Sequence, residues 1–172
     1  MKFFRRMLLL GSFACLTFLQ SGCIHFVYRP VARPIPKNEL QPVSAKAPVA
    51  VVAIPGDSEE RLLAGKWHYT EASFAPVIAK VLRDGLTGMG VSVVDKAEKS
   101  IKISVDDVRI ESGIFKVPAT VLLHVETESG YERVFEGIAS SGSTPTRAVN
   151  AALSRSVANL LKDTEFIEYL KK

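Results

Sequence analysis

Residues 119–140 read ATVLLHVETESGYERVFEGIAS. Two runs, ATVLLHVETE and YERVFEGIAS, alternate apolar with polar residues and flank Ser129-Gly130. Alternation at a period of two is the mark of a half-buried strand, and a short link ending in glycine joins such strands as a hairpin. The reading therefore predicts two antiparallel strands. Glu126, Glu128, Glu132 and Glu136, with Arg133, are read as their wet face.

What flanks the hairpin sets the fold class. Downstream, STPTRAVNAALSRSVANLLKD (143–163) places Ser143 or Thr144 before Pro145, a helix start. Ala148, Val149, Ala152, Leu153, Val157, Leu160 and Leu161 then fall on one helical face, and TEFIEYLKK (164–172) reads as a terminal helical piece with cations in its last turn. Upstream, IKISVDDVRI (101–110) alternates through Ile101, Ile103 and Val105, slips by one residue at Asp106-Asp107, and resumes at Val108 and Ile110. A slip of one residue predicts a bulge. Before it, SFAPVIAKVLRDGLTGMG (73–90) spaces Phe74, Val77, Ile78, Val81, Leu82 and Leu86 as a helical stripe, with Ser73 as its N-cap and Gly88 and Gly90 as its stop. VAVVAI (49–54) reads as a buried strand halted at Pro55-Gly56, KWHYT (66–70) as a second short strand, and VSVV (91–94) as a third.

Two amphipathic helices and a run of strands must bury their stripes on a shared sheet face. The expected fold class is α+β, a two-layer sandwich with a mostly antiparallel sheet of four or five strands and two long helices packed on one face. It occupies residues 48–172 as a single domain.

The N-terminus carries a different signal. MKFFRRMLLLGSFACLTFLQSGC (1–23) has Lys2, Arg5 and Arg6 followed by an apolar run from Met7 to Leu19. That run falls short of the roughly 20 apolar residues of a bilayer span and ends in small residues, as an export signal does. LQSGC (19–23) resembles the lipobox of bacterial lipoproteins. The resemblance implies a signal peptide over residues 1–22, cleavage after Gly22, and acylation of Cys23. Cys15 would leave with the signal, so the mature chain would hold no free thiol. Loss of residues 1–22 removes three cations and no carboxylate, so the formal net charge falls from +4 to +1. A chain that near neutrality has no basic footprint for nucleic acid. Residues 23–47, with prolines at 30, 34, 36, 42 and 48 in and beside them, read as an extended tether or as a proline-rich docking strip with Phe26 and Tyr28.

From about Phe74 to Leu170 the chain resembles the YajG family of outer-membrane lipoproteins. The resemblance rests on LTGMGVSVV, on IKISVDDVRIE, on the hairpin strands, and on RAVNAALSRSVANLLKDTEFIEYL. It implies an outer-membrane, lipid-anchored protein facing the periplasm, and it brings no catalytic residue. Ile24, after the lipid-bearing cysteine, agrees with that address, since inner-membrane retention in enteric-type systems is associated with Asp there.

Candidate chemistry is sparse. His124 groups with Thr120, Leu122 and Glu126 on one strand face, and no Cys or second His stands at ligand spacing, so neither metal nor cofactor is expected. Asp106 and Asp107 either form a solvated bulge or share acid-base work with His124. The serines of SSGST (140–144) lack the setting of a nucleophile and are explained by helix capping. Trp67, His68 and Tyr69 either contact a partner or close one edge of the core. The leading expectation is a non-catalytic accessory lipoprotein, held to the membrane by lipid, whose partner is an envelope protein or glycan. The alternative is an envelope or peptidoglycan-modifying enzyme using Asp106, Asp107 and His124.

Overall fold

The structure is a computed structural model that describes residues 26–64, 67–111, 116–142 and 144–172. Gly22, Cys23, Ile24 and the alternative capping residue Ser143 lie outside the described residues. Among the described residues, eight strands and three α-helices follow in chain order. They are β1 (Phe26–Val27), β2 (Val49–Ala53), β3 (Arg61–Ala64), β4 (Trp67–Tyr69), α1 (Ala75–Gly88), β5 (Val93–Val94), β6 (Lys99–Ile110), β7 (Val117–Thr127), β8 (Glu132–Ser141), α2 (Pro145–Lys162) and α3 (Thr164–Lys171).

The fold is α+β. A five-stranded sheet runs in the order β5-β2-β6-β7-β8, and its β6-β7-β8 portion is antiparallel. β2 pairs in parallel with both β5 and β6, because α1 carries the chain back across the sheet between them. The hairpin forms as expected, with Leu123 opposite Phe135, Glu126 opposite Glu132, and Gly130 at φ +84° in its turn. The phase slip is a bulge: Val105 faces Leu123 and Asp107 faces Leu122, so Asp106 is the extra residue. A second sheet, β1-β4-β3, is small and was not foreseen; β1 pairs with β4 in parallel and β3 with β4 antiparallel.

Both long helices lie on one face of the large sheet. Ile78, Leu82 and Leu86 of α1 and Leu153, Val157 and Leu160 of α2 are buried against Ile101, Ile103, Val121, Leu123 and Val125. α2 begins as expected, with Thr144 Oγ1 accepting from Arg147 N at 3.4 Å and Pro145 in the first turn, where its missing N–H has no partner to lose. α1 begins differently. Ser73 does not cap it; a 3-10 turn, Glu71–Phe74, precedes the helix and Ser73 Oγ donates instead to Thr70 O at 2.6 Å. The helix ends at Gly88, and beyond it Gly90, at φ +87°, lets Val91 N reach back to Leu86 O at 3.0 Å.

The segment read as a tether runs along the domain over its described residues. Tyr28, Ile35 and Val43 are buried. Tyr28 donates its hydroxyl to Asn150 Oδ1 at 2.6 Å, and the same oxygen accepts from Val31 N at 2.8 Å. Further on, Ser154 Oγ donates to Arg33 O, Lys162 pairs with Glu39, and Val43 N donates to Met89 O. Proline explains how so irregular a strip can pack: it brings no N–H to satisfy, so a few anchors suffice.

α2 sits unusually close to β8. A Cβ built on Gly137 would stand 2.0 Å from Ala152 O and 2.4 Å from Ser156 N, both backbone atoms of the helix. Backbone cannot move aside as a side chain can. Gly137→Ala should therefore destabilise the domain by about 3 kcal/mol or more, through overpacking that lifts α2 from the sheet. Urea denaturation measures this, and a midpoint within error of the wild type would contradict the packing described.

Candidate functional site

With both helices on one side, the other face of the large sheet is left open, and strand register fixes what it presents. One row across the sheet is Val52, Lys102, Glu126 and Glu132; the next holds Ser104, His124 and Val134; then come Asp107, Leu122 and Glu136, and finally Arg109, Thr120 and Ile138. Val52, Ile54, Val134 and Ile138 are exposed at 41–52%. Apolar side chains and charges thus share one open surface.

His124 lies near its centre, between carboxylates. Its Nε2 is 3.0 Å from Glu132 Oε1, and its Nδ1 is 3.9 Å from Asp106 Oδ1. Glu126 and Glu132 face each other directly across the hairpin, a like-charge pairing that destabilises a sheet unless cations stand by. Lys102, 3.6 Å from Glu126, occupies that role, and Glu132 is hydrogen-bonded to His124. Of the pair expected to work with His124, the bulge brings Asp106 to its edge, whereas Asp107 accepts from Arg109 Nε at 2.5 Å. Ser104 stands opposite His124 yet turns its hydroxyl to Asp106 Oδ1 at 3.4 Å. Its hydroxyl thus meets a carboxylate and not the imidazole, so Ser104 and His124 do not form a Ser-His pair.

One ligand atom each from His124, Glu126 and Glu132 can be drawn within 4.8 Å of one another, a nitrogen-oxygen set that suits zinc. Sequence spacing hid this grouping, because Glu132 arrives from the neighbouring strand. The hairpin register about Ser129-Gly130 was the signal that could have revealed it. All three side chains are solvent-accessible, and Glu126 already pairs with Lys102.

Trp67, His68 and Tyr69 separate in the small sheet. Tyr69 is buried, its ring edge-on to Phe74 at 5.8 Å, so it closes the core, and a partner cannot reach it directly. Trp67 is half-buried and packs on Phe26 with ring centroids 5.1 Å apart. His68 points to the opposite face, in one row with Val27 and Leu62.

A third grouping lies where the hairpin meets α3, beside a cleft of about 360 Å³. Asp163 accepts from Tyr131 OH at 3.1 Å, from Arg133 Nη1 at 2.5 Å and, as the cap of α3, from Phe166 N at 2.9 Å. Burial alone would raise this carboxyl, but the Phe166 amide, the Tyr131 hydroxyl and the Arg133 guanidinium together hold it below the usual carboxylate range. Burial, then the Asp163 charge, pushes the Tyr131 phenol up, out of reach of proton transfer near neutrality.

No family model and no curated protein matches the chain. Among solved structures it is similar to a protein named only by homology, as a neuraminyllactose-binding hemagglutinin homolog from Helicobacter pylori. The match has 14% identity, covers 86% of this chain and 98% of that one, and has a TM-score of 0.31, at which nothing is argued from it.

The Asp163 cluster generates a pH dependence. A carboxyl whose folded pKa is depressed contributes stability above its unfolded pKa of about 3.9 and loses that contribution as pH falls through the folded value. Asp163→Asn should cost about 1–2 kcal/mol at neutral pH, the range of hydrogen bonds to a charged group, and the gap to wild type should narrow below about pH 4. Urea midpoints of both proteins across pH 3–7 test this; a gap that does not change with pH would contradict it.

Proposed function

We propose that the protein is a lipid-anchored component of the bacterial envelope that acts by binding an envelope protein or glycan and not by turnover. Cys23 bears the lipid, and the outer membrane, with the domain in the periplasm, is the address implied by the YajG-family resemblance and by Ile24. No helix among the described residues is long and apolar enough to cross a membrane, so attachment in this reading falls to the lipid.

The observation that carries the binding role is the open face of the large sheet. Val52 and Ile54 on one side of that face and Val134 and Ile138 on the other stand exposed, with the polar groups of β6 and β7 between them. Exposed apolar pairs bordered by polar side chains fit a surface that meets a partner. The sheet edge is a poorer candidate, because Asn159 and Arg155 of α2 donate to the alternate carbonyls of Glu136 and Ile138 on β8, engaging groups that an added strand would use.

An enzymatic reading draws on the approach of Asp106 to His124, and one experiment separates the two. In a deletion strain, Asp106→Asn with Asp107→Asn and His124→Gln should restore the wild-type phenotype to within about twofold. Val134→Asp with Ile138→Asp should fail to restore it while the circular dichroism spectrum stays unchanged. If the triple variant folds normally yet behaves like the deletion, the enzyme reading replaces the binding one.

A further inference from the structure

The second sheet begins three residues after the cysteine read as lipid-bearing: Phe26 opens β1, and Cys23 precedes it. Three extended residues span about 10 Å at most. Tyr28 then fixes the chain to Asn150, so beyond Phe26 the path is held on the domain. Whatever surface anchors Cys23 must therefore lie close to the small sheet.

That sheet presents apolar groups outward. Leu62 is 63% exposed, Phe26 48% and Val27 47%, while Val31 follows at 60% and Trp67 lies under Phe26. Val27, His68 and Leu62 form one outward row, and Phe26 with Trp67 forms the end nearest Cys23. Beside them Arg61 pairs with Asp57 and Glu71, and Arg29, next to the buried Tyr28, is exposed. Tryptophan beside aliphatic side chains, with a cation at hand, is the composition favoured where a protein meets the bilayer interface.

We infer that the outward row of the small sheet is a membrane-contact face, seated on the phospholipid surface beside the lipid on Cys23, with Val27 and Leu62 at the headgroup level and Phe26, packed on Trp67 on the sheet's other side, at the edge next to the anchor. This rests on the reading of Cys23 as the acylated residue. In this arrangement the lipid sets the distance and the small sheet sets the orientation of the domain on the membrane. A single acyl chain holds a protein only marginally, and apolar contacts of this kind add to the hold.

Trp67 is the chain's one tryptophan, so tryptophan emission reports on the small sheet alone. The full lipoprotein is reconstituted into vesicles of phosphatidylethanolamine and phosphatidylglycerol, with or without bromine on the acyl chains, and intact mass is measured on the same preparation. The expected result is an acylated Cys23, a blue shift of Trp67 emission on reconstitution, and at least twofold quenching by brominated chains. Phe26→Ser with Leu62→Ser, both exposed positions, should lose most of that quenching while remaining acylated, and Leu62→Asp alone should move in the same direction. An acylated protein whose Trp67 is unquenched overturns the membrane face alone. Equal quenching in wild type and all variants also overturns it, because proximity to the anchor then explains the signal. A mature chain without acylation at Cys23 overturns the underlying reading, and this proposal with it.

Discussion

The approach of α2 to Gly137 governs the rest of the architecture. With no Cβ at that position, the helix backbone comes down onto β8 at Ala152 and Ser156. At that height Leu153, Val157 and Leu160 interlock with the inner residues of β6 and β7, and Ser156 is fully buried with its hydroxyl turned back to Leu153 O. The same closeness lets Arg155 and Asn159 reach the carbonyls of β8, protecting an edge of ten residues from pairing with another chain. Gly85 plays a lesser part between the helices, where a Cβ would meet only the mobile end of Leu161.

A helix seated this way presents Asn150 at a fixed place, and Asn150 organises the N-terminal segment. Its side-chain oxygen takes one bond from Tyr28 and one from Val31, both more than a hundred residues away in sequence. Among the described residues, no buried side-chain polar atom lacks a partner, so this buried amide holds the segment without an unsatisfied group of its own. The Tyr28 ring also meets Phe74 at 6.0 Å, joining the strip to the start of α1 and to Tyr69 behind it. The small sheet is thereby attached to the core through aromatic contacts, and its outward row remains uncovered.

Much of this was legible in the sequence where period and turn chemistry agreed. The hairpin about Gly130, the bulge at Asp106 and the helix start at Thr144-Pro145 each follow from local pattern, because the physics that fixes them acts within a few residues. The packing of residues 28–45 depends on Asn150, Ser154 and Met89, and no local pattern announces partners so distant. The parallel pairing of β2 was implicit in the helix that follows it, yet strand pattern alone does not state direction. Ser73 satisfies the composition rule for an N-cap, and a 3-10 turn claimed its hydroxyl instead. The grouping of His124 with Glu132 required register, and the division of Trp67 from Tyr69 required knowing which face of a three-residue strand met the core.

The central claim is that the N-terminal strip belongs to the packed domain and places it directly beside its anchor. Amide hydrogen exchange tests this most directly at three positions: Tyr28, whose N–H donates to His68 O, Val31, bound to Asn150, and Val43, bound to Met89 O. The account predicts protection at all three that approaches that of α2, lost together when Asn150 is replaced by alanine at Tyr28 and Val31. Exchange of these amides at the rate of an unstructured peptide in the wild-type protein would contradict it.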